Sequence, residues 1–116
     1  MKNWICTCLF LFINALAFAQ EGVHTRFKTD LVIVRSFEVL SGSLWKSKIS
    51  ISDGKSEIES IELRPTKPKN VDENLSVLAY VLNAIKKQGY TLTNTNSGGG
   101  NELGVYISNY IFEKEG

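Results

Sequence analysis

The 116-residue sequence holds a single histidine, His24, so acid–base or metal chemistry must either recruit that residue or rest on carboxylates. A metal site of the His/His or Cys/His kind needs partners that are missing here: the two cysteines, Cys6 and Cys8, lie in an apolar N-terminal stretch. A Ser-His-Asp arrangement would draw on the same His24, and no Gly-x-Ser-x-Gly turn exists to hold a nucleophile. Glu57, Glu59 and Glu62 are the densest acidic run. Two carboxylates across a cleft can hydrolyse a glycosidic bond, but these three alternate with apolar residues and are matched by Lys46, Lys48 and Lys55. That is the pattern of charge pairing across a wet sheet face. Asp72 and Glu73 fall at a predicted helix start, where the helix dipole favours them. The Ser97-Gly98-Gly99-Gly100-Asn101 loop has no following lysine and leads into a strand, so it lacks the helix N-terminus of a phosphate cradle. Asn74-Leu75-Ser76 fits the N-glycosylation pattern, yet Leu75 is expected to be buried in the first helical turn. No catalytic, metal-binding or cofactor-binding residue is assigned, and a carboxylate-based hydrolase is the disfavoured enzymatic reading.

Two sets of side chains exceed what folding requires. The first is Tyr106, Tyr110 and Phe112, expected as a row on the outer face of the last strand with Trp45 near it. The second is Val77 and Val81, with Tyr80 beside them, at the margin of a wide apolar helix face. Grouped aromatics suit contact sites because they bury much area at small entropic cost. The sequence therefore points to a non-catalytic interaction module for an unidentified protein partner. The alternative is a soluble carrier holding a small apolar ligand between helix and sheet. Val77 and Val81 also leave room for a symmetric homodimer.

What surrounds these residues begins with a leader. Lys2, the apolar run Trp4 to Ile13, and Ala17-Phe18-Ala19 have the three parts of a secretory signal peptide, with cleavage expected between Ala19 and Gln20. The apolar run is too short to span a bilayer, and no transmembrane segment is expected after signal removal. The expected exported form, periplasmic or extracellular, has 97 residues, no cysteine, and twelve basic against twelve acidic residues. It can form no disulfide, and zero net charge argues against general binding to nucleic acid or anionic lipid. One domain is expected over 31–116, preceded by a flexible polar leader over 20–30.

Within that domain, Leu31 to Leu40 is rich in β-branched residues and reads as a strand ending in a turn at Gly42. Lys46 to Ser52 alternates, with Ile49 and Ile51 on one face. Asp53-Gly54 marks a hairpin. The return strand, Ser56 to Leu63, carries Ile58, Ile61 and Leu63 out of parity, which predicts a bulge near Ser60. Pro65 and Pro68 bound an extended connection. Asn70 and Glu73 are spaced as a capping box, and a helix is predicted from Val71 to Gln88, closed by Gly89. Its central stripe is Val71, Leu75, Leu78, Ala79, Leu82 and Ile85. Tyr90 to Asn96 and Leu103 to Lys114 are the last two strands. The order β-β-β-α-β-β predicts an α+β fold, an antiparallel sheet of about five strands with one helix on one face.

The segment from Asn70 to Lys114 also resembles a small bacterial domain family of unknown function. The likeness rests on Leu82-Asn83 late in the helix, Lys87-Gln88-Gly89-Tyr90-Thr91-Leu92, the glycine-rich loop, and Tyr110-Ile111-Phe112-Glu113-Lys114. Members of that family read Gly-Trp-Glu-Leu where this chain has Gly89-Tyr90-Thr91-Leu92. The resemblance implies a compact sheet-and-helix fold and no known activity.

Overall fold

A computed structural model describes residues 23–40, 45–99 and 104–115. The expected signal peptide, its cleavage point and the Gly42 turn lie outside the described residues. The elements are β1 (Leu31–Val39), β2 (Lys48–Ser52), β3 (Glu59–Glu62), a 3-10 turn (Pro68–Asn70), α1 (Val71–Lys87), β4 (Thr91–Gly99) and β5 (Val105–Glu113). The strands form one antiparallel sheet in the order β3-β2-β1-β5-β4. This is the α+β architecture the sequence predicts. Its strand order makes α1 the crossover from one edge of the sheet to the other. Val81 and Ile85 of α1 pack into the core, so the helix covers one face of the sheet. No described helix is long and apolar enough to cross a membrane.

The covered face is fixed by β1. Val32 and Val34 are fully buried, and their cross-strand partners are Phe112 and Tyr110 on β5. Ile51 follows on β2, opposite Val34, and Ile49 lies opposite Ser36. With Leu63, Val81, Ile85 and Tyr90 these residues make the core. The parity corrects the expected outer row: Phe112 is fully buried beneath the helix, and Tyr110 packs against the same core. Only Tyr106, at the strand's far end, stays largely exposed. Both faces of β5 are apolar, so its own sequence could not choose between them; its pairing to β1 does.

The helix is rotated by about 60° from its predicted seat, taking 100° per residue. Asn74, Val81 and Ile85 are buried, while Val71 and Leu75 stand in solvent. Val81 therefore cannot touch a partner, and Val77 packs against the core. The apolar arc is wide enough to be seated at several rotations, and polar anchors select one. The Asn74 side chain accepts from the Arg64 N–H (3.1 Å) and donates to the Arg64 carbonyl (3.0 Å), standing in for a neighbouring strand just beyond β3. The capping box does not form. Asn70 instead donates to the Pro65 carbonyl (2.8 Å), and Glu73 pairs with Arg64 (2.7 Å). The C-terminal stop is as predicted: Gly89 adopts φ +96° and its N–H bonds the Lys86 carbonyl.

Two local corrections follow from register. β2 and β3 pair without interruption from Lys48↔Glu62 to Ile51↔Glu59, so the bulge expected near Ser60 is absent. Ile58 simply lies ahead of the strand, 61% exposed, and Ile61 and Leu63 share a parity without it. The irregularity sits instead in β4, between Leu92 and Asn94.

Candidate binding surface on the open sheet face

Two of the carboxylates, Asp53 and Glu59, are engaged in holding the N-terminal segment. Residues 23–30, expected as a loose leader, run as a strap whose backbone is gripped by side chains from four places. Glu59 on β3 accepts from the His24 N–H (3.0 and 3.1 Å), the Thr25 N–H (2.9 Å) and the Thr25 hydroxyl (2.6 Å). Gln88, at the end of α1, donates to the Thr25 carbonyl (3.0 Å) and accepts from the Phe27 N–H (3.4 Å). Asp53, just after β2, accepts from the Lys28 N–H (2.8 Å). The Tyr90 hydroxyl donates to the Thr29 carbonyl. Val23 and Phe27 pack on the core, and the Phe27 ring meets Tyr90 edge-on with centroids 5.7 Å apart.

This engagement sets the two perturbed groups. The Lys28 N–H foremost, then the Ser56 N–H (2.6 Å), hold the Asp53 carboxyl far below the usual carboxylate range, outweighing a desolvation that would raise it. Burial, followed by the charges of Asp30 and Asp53, raises the Tyr90 phenol. Neither arrangement is a reactive cluster. Glu62 pairs with Lys46 at 3.5 Å with both side chains largely in water. Among the described residues, no group of three or more His, Cys, Asp or Glu is placed to hold a metal ion. Asn74, the glycosylation-pattern residue, is buried with both ends of its amide bonded, although Leu75 beside it is exposed.

The face opposite the helix has a different character. The register places Ser60, Ser50, Arg35, Asn109 and Asn96 in one row across all five strands. The Arg35 Nε–H donates to Asn109 (2.7 Å), and the Asn109 amide donates to Asn96 (2.8 Å). Only one guanidinium N–H is used in this row, so Arg35 carries four further donors. The next row places Phe37 opposite Ile107, and Ile107 opposite Gly98. These residues, with Trp45 and Val105, line an open groove of about 740 Å³ flanked by Asn96 and Asn109. Trp45, reaching in from the segment before β2, is 71% exposed.

Glycines shape the groove's outer side. A Cβ at Gly98 would meet none of the described residues within 4 Å, so the glycine leaves the groove open toward β4. Gly99 is a backbone requirement: at φ +130° its Cβ would come within 2.1 Å of the Val105 carbonyl oxygen. Of the surface residues singled out in the sequence, only Trp45 lines this groove. Phe37, Ile107, Arg35 and Asn109 were not distinguishable from core positions, because the alternation that exposes them also occurs in a sheet covered on both sides.

The positions behind the family resemblance are framework. Gly89 ends the helix, Tyr90 and Phe112 are buried, and Leu82 packs against the core. No protein-family model matches the sequence, and no curated protein is similar to it.

Proposed function

We propose that the protein is an exported, non-catalytic binding module whose contact surface is the groove on the open sheet face. The observation that carries this reading is the pairing of an apolar wall, exposed Trp45 with half-buried Phe37, Val105 and Ile107, with the bonded Arg35–Asn109–Asn96 row beside it. Apolar centres rimmed by oriented polar groups are what contact sites require. The engaged state of Asp53 and Glu59 supports a binding rather than a hydrolytic role. Export rests on the N-terminal leader, and cleavage after Ala19 would put Gln20 three residues ahead of the first described strap residue. The alternative, a carrier of a small apolar ligand, finds its space in the same groove, since Val32, Val34, Ile49, Val81, Ile85 and Phe112 fill the layer between helix and sheet.

Titration of the isotope-labelled protein with fractions of its source's envelope extract tests this. Resonances of Phe37, Trp45 and Ile107 are expected to shift, and Gly98→Leu, whose Cβ has room and whose side chain enters the groove, is expected to abolish the response. Shifts confined to α1 or the strap, or shifts that survive Gly98→Leu, overturn the reading.

A further inference from the structure

The hydrogen bonds of the open-face row have a direction. An arginine Nε–H can only donate, so the Asn109 side chain must turn its oxygen to Arg35 (2.7 Å). Its NH2 group then faces β4 and donates to the Asn96 oxygen (2.8 Å), which sets the Asn96 NH2 group beyond it. Both amide oxygens are thereby spent inside the row. What these three side chains hold for a ligand is N–H alone: four on the guanidinium, one on Asn109 and two on Asn96.

The charge beside the groove has the matching sign. Arg35 is exposed and makes no ion pair among the described residues. Lys48 on β2 stands opposite Phe37. Among the described strand residues, the acids on this face are Glu62, paired with Lys46 at 3.5 Å, and Glu113, which lies four residues from Asn109 along β5, about 14 Å away. The apolar wall runs alongside. Phe37 follows Arg35, and Ile107 precedes Asn109, each by two residues, so donor row and wall are about 7 Å apart. A group held on the row puts the rest of its molecule against Phe37, Ile107 and Trp45, in a groove of about 740 Å³, a size that suits a small molecule.

We propose that the groove binds a small amphiphilic carboxylate, with the carboxylate on the Arg35, Asn109 and Asn96 donors and the apolar body on Phe37, Ile107 and Trp45. The proposal rests on the groove being the contact surface. A carboxylate offers acceptors only, and it matches the remaining fork of a guanidinium whose Nε is already held. A sugar or a peptide backbone fits less well, because each brings hydroxyl or amide hydrogens that need acceptors, and the amide oxygens here are spent. A wholly apolar ligand would strip water from the same N–H groups without replacing it.

Titration of the isotope-labelled protein with octanoate tests this, with octanamide as the uncharged probe and Arg35→Gln and Asn96→Asp as variants. Both positions are exposed, and Asn96→Asp keeps an oxygen for the Asn109 amide while replacing the outer NH2 group with an anion. Octanoate is expected to shift Phe37, Ile107 and the Arg35 Nε–H. Octanamide, and octanoate on either variant, are expected to bind about ten- to a hundredfold more weakly. Equal binding of octanamide, undiminished binding by both variants, shifts confined to other residues, or no binding of octanoate overturns the proposal. If Arg35→Gln fails to fold, Asn96→Asp alone decides. Failure with octanoate, while envelope extract still shifts Phe37, Trp45 and Ile107, leaves the groove standing and removes only the carboxylate; silence with both removes the groove as well.

Discussion

At the scale of single residues, polar side chains do work that apolar count cannot. Asp53 holds the strap and its own turn through four hydrogen-bond donors. A carboxyl with its folded pKa depressed stabilises the fold above its unfolded value, near 4, and that contribution drains away as pH falls below it. Urea unfolding midpoints measured from pH 7 to pH 2 are expected to fall steeply below about pH 4 in the natural protein. In Asp53→Asn the midpoint is lower at neutral pH and the acid-dependent decline is shallower. Asn74 makes a comparable case without charge. Asn74→Ala leaves the Arg64 N–H and carbonyl unmatched beside buried surface and is expected to cost about 1–3 kcal/mol in denaturant unfolding. Asn74→Leu, although more apolar, restores neither bond and is expected to be no better.

The elements respond to rotation and pairing. Val81→Ala removes two methyl groups from a fully buried helix position and is expected to cost about 2–3 kcal/mol. Val71→Ala, on the exposed flank, is expected to stay within about 0.5 kcal/mol. An equal cost at both sites in thermal or denaturant melts would contradict the helix seat. The strands, the helix and its glycine stop were legible in the sequence because period, Asp-Gly and Gly89 are local signals. The faces were not. α1 has apolar residues over too wide an arc to declare a centre, and β5 has Ile107 and Ile111 on one side and Tyr110 and Phe112 on the other. What decides both is a partner outside the element: Arg64 for the helix, Val32 and Val34 for the strand. The strap was illegible for the same reason, since a polar, aperiodic segment is recognised as structure only through Glu59, Gln88, Asp53 and Tyr90. The groove inherits this limit, because Arg35, Asn109 and Asn96 become a row only once three strands are in register.

For the whole molecule, the telling contact is the central one. β1 and β5 pair along their full length from Leu31↔Glu113 to Val39↔Val105, so the first and last strands are the middle of the sheet. Removing residues 105–116 would leave β4 without a neighbour and β1 open on one side. That truncation is expected to lack a cooperative thermal transition by circular dichroism, and a residual cooperative melt would show that the β1-β2-β3 meander stands alone. Contacts so far apart in the chain close late and slow the search for the native pairing. A polypeptide emerging from the ribosome has no closed sheet until β5 has followed β4 into the open. Until then β1 waits with one edge unpaired while everything between Val39 and Val105 is made.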